Sequence, residues 1–326
     1  MNLVSKKDNY LTGIALGELN RGNDYIYNDI LPRLTTPKQK FKIPTIGDGH
    51  YEVVNSNSVC CTPYLNVHCE DVEFVEGKIG KRALKKETCD DEKREHDGEL
   101  PMPWEDYLTT QLVHKMRVSL EAEVSNLLFS NTDVPETILP IPYTDYGVTN
   151  GNCNTDPSLD ALNICDNISL SCGNEANVAV MNYRVWKILR RHPAMIKQYC
   201  CEIRGSTVPA GLKYLQDNEI AAALGVERIL VSRARYLPTK GAQKEYIIPN
   251  DIMYYYAPDS ANMIDNSFGY KLTLEGENNF DGELSVRKKL DPSKDDDDCV
   301  KILLDGYIDW LITNFECAHI VRGAIQ

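Results

Sequence analysis

A chain of 326 residues, 42% hydrophobic and 25% charged, has ordinary globular composition and enough apolar side chains for two units with their own cores. No apolar run reaches the ~18 residues of a membrane span, and the polar stretch 1–10 lacks a signal-peptide core, so the expectation is a soluble protein made in the cytosol. A formal net charge of −13, with aspartate at each of positions 295–298, disfavours broad electrostatic attraction to nucleic acid.

Residues 1–36 show no sustained helical or strand period. Leu11, Ile14, Leu16 and Leu19 have the spacing of a short helix, but Gly13, Gly17 and Gly22 each weaken it, so an extended arm is expected that becomes ordered only against something else. From 51 to 75 the chain reads as strand. Leu65, Val67 and Cys69 alternate with Asn66, His68 and Glu70, the period of a half-buried strand, and Val72 and Phe74 resume it after a slip at Asp71. Paired with a strand at 51–54 that begins at Tyr51, this makes a long hairpin. Residues 78–99 are dense in both signs of charge and nearly free of apolar side chains, so they are expected to project or to wait for a partner surface.

The clearest periodicity lies at 103–130. Trp104, Leu108, Leu112, Met116, Leu120, Val124 and Leu128 recur every four residues along one slowly drifting stripe. They define a single helix roughly 40 Å long, a beam for other elements to lie on. Pro101 and Pro103 fix its start, and Glu105 and Asp106 sit at the positive end of its macrodipole. Lys115, Arg117, Glu121 and Glu123 are assigned to its other faces.

Residues 138–156, rich in Pro, Gly, Thr and Asn, read as loop. Asp156-Pro157-Ser158 then opens a helix through about Leu170, with Leu159, Leu162, Cys165 and Ile168 inward. A buried strand at 178–181 follows, and Asn182 caps a helix over 183–191 whose buried face is Val185, Ile188 and Leu189. His192-Pro193 ends it, and 194–199 add another turn or two. A helix over 215–224 is closed by Gly225. Stretches 228–236, 246–257, 270–274 and 284–290 read as strands, and a last long one falls within 300–320. Helices and strands mix without a repeating unit of fixed length, so the class is α+β. The eleven cysteines are odd in number and contain no C-x-x-C pair, which favours free, mostly buried thiols over a secreted disulfide framework.

The order of these elements resembles the major capsid protein of tailed bacteriophages. The resemblance is carried by Asp24-Tyr25-Ile26 to Leu31-Pro32 with Pro37-Lys38-Gln39, the hairpin, the beam helix, and Asp156-Pro157 opening a helix. It is carried further by Asn177 to Met181 with Val185 to Pro193, and by Leu224-Gly225-Val226 to Val231. It spans nearly the whole chain, with order and spacing rather than any strict motif as its content. It implies the shell fold shared with herpesvirus capsids and encapsulins. Residues 1–36 would be an N-terminal arm, 37–100 an extended loop reaching over a neighbour, and 101–175 a peripheral domain built on the spine helix. Residues 176–260 would form an axial domain, and 261–326 return to the peripheral one.

The function so implied is structural rather than enzymatic. Copies assemble through hexamers and pentamers into an icosahedral head, in the host bacterial cytoplasm, and the virion encloses double-stranded DNA without reading its sequence. An acidic chain would give such a shell a non-adhesive lining. Scaffold, portal and decoration proteins are the further partners; no membrane, cofactor or metal is implied. The assembly residues are Tyr25, Ile30, Leu31, Tyr51, Leu65, Val67, Phe74, Lys81 and Arg82. An arm and a hairpin without cores are costly in a monomer and sensible if symmetric neighbours bury them, so removing residues 1–31 should spare the core and abolish closed shells. Some relatives carry a helical scaffolding segment ahead of the arm; here the arm begins at once, so a scaffold is expected to be separate or absent. Some also cross-link through a loop lysine, to which none of Lys78, Lys81, Lys85 and Lys86 can be matched.

Two other classes compete. A nanocompartment around an enzyme cargo uses a similar fold, but such shells usually begin with a helix rather than an arm. A helix-turn-helix could be drawn over 217–234, with Ile220 and Ala221 in the first helix, Leu224-Gly225-Val226 at the turn, Val231 and Ala234 in the second, and Arg228, Arg233 and Arg235 at the groove. Against it, Ile229-Leu230-Val231 is equally a buried strand.

Cys60, Cys61, His68 and Cys69 are soft ligands, yet adjacent strand residues face opposite sides, so strand packing is the plainer reading. The 295–298 aspartates lack the spaced oxygens of a cation loop, and Arg184, Lys187 and Arg191 form the wet face of a helix. No G-x-S-x-G or P-loop occurs, Gly47-Asp48-Gly49 lacks a third glycine, and His50, His96, His114, His192 and His319 have no catalytic partner by spacing. Asn167-Ile168-Ser169 fits a glycosylation acceptor that a cytosolic chain would not use.

Overall fold

The computed structural model describes residues 6–7, 9–19, 24–44, 74–96, 102–145, 147–149, 152–203, 205, 207–208, 213–239, 241–261, 266–275, 285–290 and 299–325. The chain enters through a short strand, β1 (Lys6–Lys7), and a helix, α1 (Asn9–Leu19). This helix corrects the expected extended start. Leu11, Thr12 and Ala15 are buried while Gly13 faces open space. Packing of one face against the long helix supplies more than the glycines cost in propensity.

Strands β2 (Arg33–Thr36), β3 (Lys40–Pro44), β4 (Phe74–Lys78) and β5 (Lys81–Thr88) lead to a short helix, α2 (Asp90–His96). β3 and β4 pair antiparallel from Lys40↔Lys78 to Pro44↔Phe74, so the hairpin root uses 40–44 opposite 74–78. Phe41 lies across Gly77, where a side chain would strike its ring. The expected strand residues 51–73 lie outside the described residues.

The long helix, α3 (Trp104–Phe129), buries Leu108, Leu112, Met116, Leu120, Val124 and Leu128, with Trp104 half-buried. Its buried arc is wider than one stripe. Arg117 and Glu121, assigned from sequence to other faces, are buried at 7% and 1% exposure, because the arm and a second sheet close over that side.

β6 (Glu136–Ile138) and the small hairpin β7 (Val148–Thr149) with β8 (Asn152–Cys153) precede α4 (Pro157–Cys172). Asp156 caps α4 by accepting from the amides of Ser158 and Leu159, and Gly173 ends it in the left-handed region at φ 79°. Ala161, Ile164, Cys165, Ile168 and Cys172 are its buried face, whereas Leu159 and Leu162 are exposed, contrary to expectation. Two stripes of α4 are apolar, and which one is buried was set by the elements that pack on it.

β9 (Val178–Asn182) is wholly buried, and Asn182 caps α5 (Tyr183–Leu189) by accepting from the Val185 amide. Val185, Trp186 and Leu189 are buried on α5, with Ile188 half-buried. α6 (Pro193–Lys197) runs into a π-helical turn at Gln198–Ile203, and α7 (Asp217–Leu224) ends at Gly225, φ 73°. The remaining strands are β10 (Arg228–Ser232), β11 (Arg235–Tyr236), β12 (Glu245–Tyr246), β13 (Ile252–Tyr255), β14 (Gly269–Leu274), β15 (Ser285–Leu290), β16 (Val300–Ile312) and β17 (Ala318–Arg322). β10 removes the helix-turn-helix: the segment after α7 is a strand, parallel to β9.

Two sheets flank the core. The larger has six strands organised by β16, whose first half lies between β15 and β5 and whose second half pairs β14, with β2 and β1 at the margins. The smaller runs β10-β9-β13-β17-β6, so the last strand of the chain sits beside strands drawn from 178–255. Residues 81–96, expected to project, lie instead on their own subunit. β5 pairs with β16 from Lys81↔Tyr307 to Thr88↔Val300, and His96 of α2 stacks on Trp104 at 4.3 Å. Backbone pairing and opposite charges on β16 and α3 replace the missing apolar surface.

The cysteine expectation is corrected as well: Cys89 is bonded to Cys299 and Cys172 to Cys317. Partners 210 and 145 residues apart carry no local spacing signal.

Candidate functional site

The arm is held by a buried carboxylate. Glu121 on α3 accepts from the backbone amides of Ile26 at 3.0 Å and Tyr27 at 2.9 Å, and from the Ser232 hydroxyl of β10 at 2.6 Å. Burial raises its pKa above the ordinary carboxylate value, against the lowering effects of those three donors and of Arg117. One side chain thereby ties together the arm, the spine helix and the smaller sheet. Beside it, the Arg117 guanidinium lies over the Tyr25 ring at 4.4 Å, and the Tyr25 hydroxyl meets His114 Nδ1 at 3.3 Å.

The arm is stitched onward. Arg233 donates its amide to the Asp24 carbonyl at 2.9 Å, Lys271 donates Nζ to Asn28 Oδ1 at 2.7 Å, and the Tyr255 hydroxyl donates to the Ile30 carbonyl. Ile26, Tyr27, Ile30 and Leu31 are all buried in the main core. Tyr25 is therefore half-buried within its own chain, and Ile30 and Leu31, at 0% and 3% exposure, are core residues unavailable to a neighbour.

The start of β5 is held by charge. Lys81 pairs with Asp305 at 2.8 Å, Arg82 with Glu123 at 2.9 Å and Asp309 at 3.5 Å, and the Gly80 amide donates to Asp309 Oδ2 at 3.2 Å. Asp305 is 5% exposed and also receives Arg287, so this is a partly desolvated network rather than a set of isolated surface pairs. Lys81 and Arg82 are thus engaged inside the chain. Phe74, at the loop side of β4, is 54% exposed. Tyr51, Leu65 and Val67 fall outside the described residues, as do Cys60, Cys61, His68, Cys69, His50, Gly47 to Gly49 and the 295–298 aspartates.

A third tie closes the smaller sheet. Arg322 of β17 donates to Glu136 at 2.9 Å, to Asp251 at 3.1 Å and to the Phe129 carbonyl that ends α3 at 2.6 Å. Neither Glu121 nor Arg322 was identified from sequence. The only available signal for Glu121 was its pairing with Arg117 four residues earlier, between Val113 and Val124, where a wider buried arc would enclose both.

His192 and His319 are structural in their contacts. His319 bonds Thr137 at 2.9 Å. His192, wholly buried, accepts the Ala194 amide at Nδ1 and meets Thr155 through Nε2 at 3.1 Å, which fixes the Nε2–H tautomer. Burial pushes its pKa down to about 4 from 6.5, with Asp156 opposing. In the window between those values the unfolded chain binds the proton and the folded chain does not, so stability is lost as pH falls through it. Unfolding free energy is expected to drop by about 2 kcal/mol between pH 7 and pH 5 on this account. His192→Gln should flatten that part of the profile in urea melts; an unchanged slope would remove His192 as its source.

Among the described residues no group of three His, Cys, Asp or Glu stands close enough to hold a metal, and no helix is long and apolar enough to cross a membrane. Arg184, Lys187 and Arg191 are exposed, as the wet face of α5 and its end should be.

No family model and no curated protein matches the sequence. Solved structures match it over almost its full length. A phage-related protein from Bordetella bronchiseptica RB50 superposes with a TM-score of 0.67 at 16% identity, covering 98% of each chain. A virus-like particle from Pyrococcus furiosus gives 0.56 at 14%, over 97% of this chain and 100% of the other. The capsid of cyanophage P-SCSP1u gives 0.50 at 10%, over 91% and 87%. At such identities what is shared is the fold. The chain has the α+β fold of phage major capsid proteins.

Proposed function

We propose that the chain is a shell-forming structural protein, the major capsid protein of an icosahedral phage head that assembles through hexamers and pentamers around double-stranded DNA. The observation that carries this reading is the extent of the fold match, 98% of this chain and of the phage-related protein, and 91% of this chain and 87% of the cyanophage capsid chain. In this reading 1–36 is the arm, 37–100 the extended loop, 101–175 and 261–326 the peripheral domain, and 176–260 the axial domain. No residue is assigned catalysis. The subunit contacts fall on Phe74 and the loop beyond it, with Tyr51, Leu65 and Val67, while Tyr25, Lys81 and Arg82 brace these surfaces from within. Scaffold, portal and decoration proteins are further partners, and the shell belongs to the virion after assembly in the host cytoplasm.

A second reading is kept because α1 exists: nanocompartment shells of similar fold usually begin with a helix. One experiment separates them. The purified protein is sedimented to obtain its mass distribution, and any fast fraction is imaged by negative stain. Pentamers, hexamers or hollow shells free of other protein are expected. A stoichiometric enzyme inside would transfer the reading to a nanocompartment, and a strict monomer or dimer with every candidate scaffold supplied would overturn both.

A further inference from the structure

The cystine between Cys89 and Cys299 occupies a particular place. The extended loop returns into β5 at Lys81, and β5 is zipped to β16 pair by pair up to Thr88↔Val300. Cys89 and Cys299 stand one step beyond that last pair, their Cα atoms 4.0 Å apart. Among the described residues β5 pairs with β16 alone and its outer side chains lie largely in water, so it is held by that ladder, by the charge network at its loop end, by Leu84 on the core and by the Trp104 indole donating to Thr88 at 2.8 Å. An opening that starts at the loop end of the ladder, Lys81↔Tyr307, and runs along it meets the cystine just past Thr88↔Val300. The cystine is where such an opening stops.

Its two sulfurs differ in access. Cys89 is half-buried, whereas Cys299 is 4% exposed. The other cystine is different in kind. Cys172 and Cys317 are both 0% exposed, and Asn266 packs across them, donating Nδ2 to the Cys172 carbonyl at 2.7 Å and accepting from Asn314 at 2.8 Å. A solution thiol reaches that bond only if the surrounding core opens.

We propose that Cys89–Cys299 is a redox-closed latch on the root of the extended loop, written by exchange with a low-molecular-weight disulfide. The Cys89 thiolate attacks one sulfur of the small disulfide, forming a mixed disulfide and expelling the first small thiolate, which takes up the proton Cys89 lost. The Cys299 thiolate then attacks the Cys89 sulfur and expels the second. Two protein thiols are oxidised to one disulfide, and the small disulfide is reduced by two electrons to two thiols. In a reducing medium the ladder is zipped but openable; after oxidation its far end is covalent. The latch acts within one chain and does not depend on whether the chains assemble.

The test uses the full-length protein purified with a dithiol reductant, then exchanged under native conditions into oxidised glutathione or kept reduced. Accessible thiols are alkylated, peptides are mapped by mass, and amide hydrogen exchange is followed on 81–88. Oxidation should protect Cys89 and Cys299 from alkylation and join them. In the reduced protein both should be alkylated while Cys172 and Cys317 are not. Amides of 81–88 should exchange at least about tenfold faster when reduced, with those of β9 and β13 unchanged. Cys89→Ser should exchange like the reduced form even in oxidised glutathione, and the reduced wild type makes the same comparison should that variant fail to fold. The proposal falls if Cys89 and Cys299 stay alkylatable after oxidation, if they pair with other cysteines, if Cys172–Cys317 opens at the same reductant level, or if exchange on 81–88 is the same in both states.

Discussion

Removing residues 1–31 is expected to unfold the subunit, not merely to spoil its assembly. The deletion takes away Leu11, Ala15, Ile26, Tyr27, Ile30 and Leu31, all buried in the main core. At about 1.5–3 kcal/mol for each large buried side chain, the loss is on the order of 10 kcal/mol, comparable with the whole stability of an ordinary domain. It also strands the Glu121 carboxylate. Removing only residues 1–22 leaves the clamp intact and discards β1 and α1, so that shorter chain should keep a cooperative melt at a lower Tm. Far-UV circular dichroism and thermal melts of the two truncations check this. A wild-type melt from the longer deletion would mean that the arm is not part of the core. Sedimentation of the shorter one then reports whether β1 and α1 together are needed for shells.

Glu121→Ala should cost about 3–6 kcal/mol, because the amides of Ile26 and Tyr27 and the Ser232 hydroxyl each lose a buried acceptor worth about 1–3 kcal/mol. Glu121→Gln keeps one acceptor oxygen in place and should cost less than half of that. The pH dependence has a definite sign. Since the folded protein holds the Glu121 proton more tightly than the unfolded chain, its contribution is largest below the ordinary carboxylate range and declines as pH rises through the raised folded value. This is opposite to the effect of His192, so the two are separated by comparing each variant with the parent in denaturant melts across pH. Equal stability of parent and Glu121→Ala would show that the arm does not depend on this clamp.

Much of the subunit was legible because it is written locally. The seven-residue stripe of α3 follows from a four-residue repeat, and the ends of α4, α5 and α7 follow from Asp156, Asn182 and Gly225, whose side-chain acceptors or glycine backbone act within three residues. β9, β13 and β14 were readable from their β-branched and aromatic side chains. The errors share one cause. α1 is glycine-rich and forms because Leu11 and Ala15 have a surface to pack on; α4 carries two apolar stripes, and its neighbours chose between them; the charged stretch 81–96 finds its complement on β16 and α3. In each case the deciding partner lies far along the chain.

The sequence by itself determined the spine helix, the caps, the α+β class and the order of elements that points to a shell fold, since periodicity and capping act over a few residues. Only the tertiary structure decided that the arm belongs to the core, that Glu121 is the clamp and which cysteines pair. Those outcomes join residues 95 and 210 positions apart, and contacts at such separations depend on the packing of whole sheets and helices, which no local pattern of side chains encodes.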